Sequence, residues 1–428
     1  TSIAGIRSAL SCKLRDLPSG AWLQATRYDD ARLSEGRHPN RRDLDAVSTH
    51  HPIRLRHRGL HLDVLNTAAL RTLELADSPA MERDAETGEP TGRLFHAGEA
   101  IAQRTRRLRR PDVRASVRQA SQRLLSTGVT SVQDASVTNG PEQWALFQML
   151  SEAGDFGPRL FMLPGYRSFH ELTASPSTTP LVRQAQVKLM INEMDANPDE
   201  LRAAVADVCV AGRSVAIHAA TEAELVLALD AFSLLSFRGI PGALAAADAS
   251  LDARHDRMKP AGPNRQALPD RIEHGSAIPD ALLPRLREAG VTVVGNPAWL
   301  CDRSDVYEAF HEPEVHGWLH RARSLLAAGI PYAAGSDAPV VDPNPMLSFF
   351  ALHHRQLGVA ERLSPDEALA AITHWPASAV GAGHELGRLR PGAIADVVVL
   401  DRDPEAWQPG DPSPVRMTIV NGRVAWRR

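Results

Sequence analysis

The pattern of hydrophobic and polar positions changes near residue 128. Beyond this point, short apolar runs alternate with amphipathic stretches of helix length, which is the pattern of repeated βα units. The predicted strands are 129–133, 159–163, 187–190, 215–218, 271–274, 291–295 and 332–336, and the clearest intervening helices are 200–211, 222–232, 280–289 and 315–328. The fold class is therefore α/β. Seven such strands are one short of a (β/α)8 TIM-type barrel, so the first strand is missing from this count.

The two ends of the chain follow other patterns. Residues 1–127 start with a helical pattern, continue through a polar stretch with a β-like run at 52–57, and end in a basic helix. We predict that they form an inserted helical segment packed on a barrel of residues 128–380. Residues 381–428 hold several β-like runs, and a few short strands need partner strands to be stable. This tail therefore predicts the C-terminal part of a small β-sandwich accessory domain.

Composition narrows the possible partners. The chain has 428 residues, 43% of them hydrophobic, and a net charge of −3, so it can bury a large core but offers no electrostatic case for nucleic acid. Its three cysteines are widely spaced, which argues against a disulfide framework or a thiolate zinc site. No apolar stretch reaches the ~20 residues of a membrane span. We expect a cytoplasmic protein with a small-molecule substrate and no nucleic-acid or membrane partner, and a homodimer stays open.

Three polar residues lie at the ends of predicted strands: His218, His274 and Asp337. The carboxyl ends of barrel strands meet at one mouth, so residues far apart in the chain come together there. Imidazoles suit a divalent metal, zinc above all, which lowers the pKa of bound water, and a carboxylate can accept the proton of that water. The three residues therefore predict a metal-dependent hydrolase. The competing explanation is that each is an ordinary polar residue.

Lys188 lies inside the apolar run 187–190. Burying an ammonium group is costly, and a lowered pKa avoids the cost by leaving a neutral amine. Such an amine can react with carbon dioxide to give N6-carboxylysine, an anionic group that bridges two metal ions. The alternative is a lysine that reaches solvent or a carboxylate such as Glu193. The residues alone leave both open.

Four further residues are candidates for substrate contact. His61 could face the mouth, and either His61 or Arg271 could contact substrate. Asn296 and Trp299 follow the strand 291–295 and could line a substrate wall. A turn role competes for His61, and a packing role competes for Asn296 and Trp299. Motifs for a serine nucleophile or a phosphate-binding loop do not occur in the sequence, so serine-hydrolase and nucleotide-binding functions lack support.

Several motifs resemble the amidohydrolase superfamily, and within it amidohydrolase family 3, the branch that includes N-substituted formamide deformylases. The similarity runs from about Leu17 to the end of the chain. Its most specific parts are His61 followed by NTAAL at 66–70, GEPTG at 88–92, GVTSV at 128–132, RIEH at 271–274, GSD at 335–337 and LRPGAIAD at 389–396.

The resemblance implies hydrolysis of a non-peptide C–N bond in an amide, a formamide or a cyclic amide. It also implies roles for four residues. Lys188 would end the fourth strand as a carboxylated lysine, and His218 and His274 would be the fifth- and sixth-strand metal ligands. Asp337, after the eighth strand, would be the catalytic base and a further ligand of one or two zinc ions.

The sequence also departs from the family pattern. The His-x-His pair of the first barrel strand and the upstream half of the β-sandwich are not found, and the first residue is Thr1 rather than Met. We expect an N-terminal truncation relative to the family, which accounts for the count of seven strands. Residues 191–195, after Lys188, differ from the usual family continuation, which weakens any inference about the substrate.

Two other functions remain open. The first is a catalytically impaired barrel remnant that acts as a binding module, which the absent His-x-His pair favours. The second is a heterocycle deaminase of the same superfamily. Such deaminases generally bind one metal and lack the carbamate lysine, so Lys188 would then be unmodified.

Overall fold

A computed structural model describes residues 2–108, 112–172, 175–191, 196–233 and 268–428. Most of the predicted loop 250–268, and Glu193, lie outside these ranges. The chain divides into two compact units, Thr1–Asp112 and Val113–Arg428. In the described part of the chain, no helix is long and apolar enough to cross a membrane.

The first unit is built on a five-stranded sheet. Its strands are β1 (Leu23–Tyr28), β2 (Ile53–His57), β3 (Leu62–Leu65), β4 (Met81–Arg83) and β5 (Pro90–Phe95), and its helices are α1 (Ile3–Leu14), α2 (Arg41–Asp45), α3 (Thr67–Leu73) and α4 (Gly98–Leu108). The sheet order is β1-β2-β3-β5-β4, with β1 and β2 parallel and the other neighbours antiparallel.

This unit contains more strand than its sequence pattern indicates. Of its five strands, the hydrophobic pattern singled out only the run that became β2. Strand β3 is buried at every position, so it lacks the alternation that marks a half-exposed strand. Strand β4 has only three residues. Pairing with distant neighbours, rather than local pattern, makes these segments strands.

The second unit contains two parallel sheets and one antiparallel sheet. Its strands are β6 (Ser131–Asp134), β7 (Arg159–Met162), β8 (Val182–Gln184), β9 (Val187–Leu189), β10 (Val215–Ala219), β11 (Arg271–His274), β12 (Thr292–Gly295), β13 (Tyr332–Ala334), β14 (Val397–Leu400), β15 (Val415–Val420) and β16 (Arg423–Arg427). All seven predicted barrel strands are present, each within two residues of its predicted bounds. Only β8 was not anticipated among the parallel strands.

Helices separate most of these strands. They are α5 (Val113–Ser126), α6 (Pro141–Glu152), α7 (Phe169–Leu172), α8 (Pro198–Val210), α9 (Glu222–Ser233), α10 (Leu283–Ala289), α11 (Ala298–Phe310), α12 (Arg323–Ala327), α13 (Pro345–His354), α14 (Pro365–Ile372) and α15 (His374–Ala379). The largest buried cluster joins alternate residues of strands β9 to β13, such as Ile217 and Ile272, to helix residues such as Leu229 and Leu286. The remaining strand residues therefore face the opposite side of the sheet, which is the interior of the arc.

The two parallel sheets form one continuous arc of strands. Strands β6-β7-β8 form the first sheet and β9-β10-β11-β12-β13 the second. The segment 182–189 belongs to both, because β8 pairs with β7 while β9 pairs with β10. The amide of Lys188 also donates to the carbonyl of Pro164 (2.7 Å). Within the described residues the arc is open between β6 and β13, so the barrel does not close.

The C-terminal strands form the antiparallel sheet β14-β15-β16. The sheet packs on α5, where the hydroxyl of Thr418 donates to the carbonyl of Leu125 (2.7 Å). The predicted β-rich tail is confirmed. The described residues of the second unit provide no second sheet facing this one, so the β-sandwich itself is not confirmed.

Candidate active site

Strand register brings the candidate residues together at one end of the second sheet. Strands β9, β10 and β11 are parallel, with Lys188 beside Ala216, Ala216 beside Arg271, and His218 beside Glu273. Side chains of directly paired residues point to the same face of a sheet. Lys188 and Arg271 therefore form an inner layer, and His218 and Glu273 lie one layer nearer the carboxyl ends.

The two predicted histidines are neighbours. The ring centroids of His218 and His274 are 4.5 Å apart, with an angle of 71° between the rings. His274 Nδ1 lies 2.7 Å from the amide oxygen of Asn296. The oxygen can only accept, so Nδ1 carries the proton and Nε2 keeps its lone pair. A hydrogen bond of this kind, on the nitrogen away from the metal, is what orients a histidine ligand.

The protonation state of His274 also suits a ligand. Burial lowers the pKa of His274, and the nearby positive charge of Lys188 lowers it further. The ring is therefore neutral at pH 7, as metal binding requires. His218 Nε2 lies 3.9 Å from a carboxylate oxygen of Glu224, which itself accepts the amides of Ala220 and Thr221 at the start of α9.

Charged side chains below the histidines set the potential of the site. Lys188 is 2% exposed, and its burial lowers its pKa to about 8, against the opposing effect of the Glu273 carboxylate. Burial alone would raise the pKa of Glu273, but Arg271 and Lys188 outweigh it and lower the value to about 2. Arg271 is 1% exposed and donates from Nε to Glu273 and from Nη1 to the amide oxygen of Gln133 (2.6 Å).

Asp337 completes the group. Burial raises the pKa of Asp337 to about 6, although the Lys188 charge opposes the rise. Both Asp337 and His274 have left-handed backbone angles, with φ of 57° and 78°. Such angles strain the backbone of any residue other than glycine. Residues strained in this way are concentrated at functional sites. These angles therefore make both turns candidate functional positions.

The residue types of this site suit a zinc-type ion, but their donor atoms are too far apart to bind one ion together. Two neutral imidazoles and a buried carboxylate are typical zinc ligands, and Asn296 supplies the outer hydrogen bond. However, the donor atoms of His218, His274 and Asp337 are not all within 4.8 Å of one another. A bound ion would draw at least one of these side chains inward.

The other predicted site residues have mixed positions. Asn296 is at the site through its bond to His274. Trp299 lies on α11, half-buried, with the guanidinium carbon of Arg303 5.8 Å from its ring centroid. Arg271 lies in the interior and pairs with Glu273 rather than opening to the mouth. His61 belongs to the first unit, where it is exposed and its ring centroid lies 5.2 Å from that of His96.

The sequence analysis did not single out three residues of this site. Glu273 and Gln133 supply the partners of Arg271, and the spacing of Arg271 and Glu273, two residues apart in a strand, could have indicated one shared face. The third is His320, which is buried, has a φ of 44°, and lies 2.9 Å from the Tyr307 hydroxyl through Nε2. No local pattern marks His320, because its position depends on a loop that packs beside β11.

Comparisons with known proteins agree with this architecture. The sequence profile of the amidohydrolase family matches residues 1–425. The N-substituted formamide deformylase of Arthrobacter pascens is 26% identical over 450 residues, covering 97% of this chain and 80% of the relative.

Two solved structures share the fold. An uncharacterized metal-dependent hydrolase from Pyrococcus horikoshii OT3 matches with a TM-score of 0.69 and 22% identity, covering 95% of this chain and 81% of that one. A second, from Pyrococcus furiosus, has a TM-score of 0.66 and 23% identity, covering 94% and 81%. With the family profile matching nearly the whole length, this chain belongs to the amidohydrolase family.

Proposed function

We propose that this protein is a metal-dependent hydrolase of C–N bonds other than peptide bonds, in amides, formamides or cyclic amides. The observation that supports this most is that His218, His274 and Asp337 lie at the carboxyl ends of three strands of one parallel sheet, near the buried Lys188. Family membership supports hydrolysis of a C–N bond. The formamide named for the Arthrobacter relative supports a small amide as the substrate class.

The residues that would hold the metal are His218, His274 and Asp337, with Lys188 beside them. One or two zinc ions at this place would supply a hydroxide at neutral pH, because a bound zinc lowers the pKa of water from about 15.7 to about 7. Asn296 holds the His274 ring so that its Nε2 lone pair is available.

Asp337 is suited to move the proton. With a pKa of about 6 it is mostly ionised at pH 7, yet it is basic enough to take a proton from the attacking water. It can then deliver that proton to the departing nitrogen. An amine is a poor leaving group without this proton, so cleavage of the C–N bond depends on it.

Lys188 is suited to become a carbamate. At a pKa of about 8, roughly a tenth of the side chain is the free amine at pH 7. The amine nitrogen attacks carbon dioxide, a C–N bond forms, and one proton leaves for solvent. The anionic product would neutralise metal charge at the inner layer of the site.

We further infer that the arc of strands is the greater part of a (β/α)8 barrel of residues 128–380. The C-terminal sheet would then be one half of the accessory β-sandwich. The order of the parallel strands along the arc supports the first inference. The partly exposed Val399 and Val424 of the C-terminal sheet support the second.

The test is turnover of N-substituted formamides and simple cyclic amides by the purified full chain. Activity should fall on chelation and return with zinc, manganese or cobalt. Asp337→Asn should lower kcat by about 10²–10⁴-fold, the usual contribution of a general base. His384→Ala removes an exposed histidine of the same unit and should change nothing.

Each alternative has its own result. If His274→Ala and Asp337→Asn leave metal content and every measured activity unchanged, the chain is a binding module. Release of ammonia from a heterocycle, with one metal per chain and an unmodified Lys188 in native mass measurements, would indicate a deaminase instead.

A further inference from the structure

A second group of potential metal ligands lies in the first unit, where β1 and β2 end side by side. Asp29 and Asp30 follow β1, and His57 is the last residue of β2. The two strands are parallel, and Tyr28 pairs with His57. The donor atoms of Asp29, Asp30 and His57 all lie within 4.8 Å of one another, and no other group of three or more such residues in the described ranges does so.

The distance between His57 and Asp30 is close to that between two ligands of one metal ion. His57 Nε2 lies 3.0 Å from Asp30 Oδ1, and Nδ1 of His38 lies 3.7 Å from the same oxygen. Ligand atoms about 2.0–2.1 Å from a tetrahedral zinc are about 3.3 Å from each other, which follows from the geometry of a tetrahedron. The distance from His57 to Asp30 is close to this value. His38 lies further out, and its Nδ1 is also 3.2 Å from the Tyr28 hydroxyl, so this ring would have to move inward to become a ligand.

The polar atoms of the group are incompletely satisfied. Nε2 of His57 is buried and makes no hydrogen bond of acceptable geometry, despite its short distance to Asp30. Arg58 Nη1 lies 3.2 Å from Asp29 and balances that carboxylate. The ion-pair partners found for Asp30 in the described part of the chain are two imidazoles, His38 and His57. Neither is a permanently charged group such as the Arg58 guanidinium beside Asp29, so a bound cation would supply Asp30 with a permanent counter-charge.

We propose that Asp29, Asp30 and His57, with His38 as the fourth donor, bind one divalent transition-metal ion of the zinc or cobalt type. The mixture of imidazole and carboxylate donors favours such an ion over magnesium or calcium, which prefer oxygen ligands alone. The ion would tie the end of β1 to the end of β2. This site uses none of the residues of the proposed hydrolase site, so the proposal does not depend on that function.

Binding has a specific structural consequence. The amide of Gly59 donates to His57 Nδ1 (3.1 Å), so without metal the ring proton is on Nε2. A metal at Nε2 moves this proton to Nδ1, and the hydrogen bond from Gly59 is lost. The tautomer of His57 and the environment of the Gly59 amide therefore change together when the ion binds.

The test is metal stoichiometry of the full chain after chelation and removal of the chelator. Zn²⁺ is titrated into the wild type, Asp30→Asn, His57→Gln and the control His50→Gln, which removes an exposed histidine bonded to Ser19. Wild type and His50→Gln should bind one equivalent more than Asp30→Asn and His57→Gln, whatever the barrel residues bind. Circular dichroism of the metal-free proteins checks that all four are folded.

A second measurement separates a ligand role from a structural one. Co²⁺ should give visible absorption for this equivalent in the wild type that Asp30→Asn lacks, and the Gly59 amide resonance should shift with Zn²⁺ in the wild type alone of that pair. Equal stoichiometry in all four proteins would overturn the proposal. A wild-type Gly59 resonance that ignores Zn²⁺ would also overturn it.

Discussion

The buried pair Arg271–Glu273 should stabilise the second unit strongly, and Glu273→Gln tests this. Both side chains are nearly inaccessible, with exposures of 1% and 7%. The substitution preserves shape but leaves the Arg271 charge without a counter-charge. Breaking a buried pair by removing one partner typically costs about 3–5 kcal/mol.

The pKa of Glu273 leads to a similar magnitude. The folded protein lowers it from 4.5 to about 2, and at 1.36 kcal/mol per unit this corresponds to about 3 kcal/mol of stability at pH 7. Because the folded-state pKa is the lower one, the contribution is fully present above about pH 4.5 and is lost as the pH falls through 2. At pH 3 about 1 kcal/mol should remain.

Tryptophan fluorescence during urea and thermal unfolding measures the effect, since six of the seven tryptophans lie in the second unit. For a unit of about 300 residues, a loss of about 3 kcal/mol lowers Tm on the order of 5 °C. Glu288→Gln, at an exposed position on α10, is the matched control and should stay within about 0.5 kcal/mol of wild type.

Two results would refute the reasoning. If Glu273→Gln is as stable as wild type at pH 7, the pair does not stabilise the fold. If the difference between wild type and variant is the same at pH 3 as at pH 7, the loss does not come from the charge of Glu273.

Three further predictions follow from the site and its supports. Asn296→Ala removes the hydrogen bond to His274 and should weaken metal affinity or activity about 10–100-fold in a metal titration with parallel kinetics. In the metal-free protein Asp337 should ionise with a pKa of about 6, so zinc affinity should rise as the pH rises through 6, and Asp337→Asn should remove that part of the pH dependence. Gly165→Ala would place a Cβ 1.9 Å from a backbone carbonyl oxygen and should lower Tm clearly, whereas Gly317→Ala meets no atom within 4 Å and should not.

The parallel strands of the second unit and the residues at their ends were predictable from sequence. Parallel strands are buried on both faces, so they are encoded by short apolar runs in the sequence. All seven such runs form strands. Because the carboxyl ends of such strands lie on one side, His218 and His274 could be expected to meet, and their rings are neighbours.

The charge arrangement beneath these histidines depended on tertiary structure. Arg271 was a candidate for substrate contact from the sequence. Only the register of β10 and β11 shows that it lies in the inner layer, where Glu273 and Gln133 bind it. The same register places Lys188 close enough to Glu273 for each charge to shift the pKa of the other.

The first unit shows the limit of local pattern most clearly. Four of its five strands were not singled out by their own residues; among them, β4 has only three residues and β3 is buried at every position. His57 and Asp30 are 27 positions apart, and neither stands in a recognisable metal motif. The parallel pairing of β1 with β2 brings them together.

The sequence by itself therefore determined the order of the strands, the residues at their ends and the family. Tertiary structure decided which charges are buried against each other and which distant donors share a site. The physical reason is the distance along the chain over which each feature is set. Hydrophobic periodicity reflects the burial of one segment and can be read within a few residues. Ion pairs and ligand groups depend on strand register across tens of residues, and packing of the whole unit sets that register.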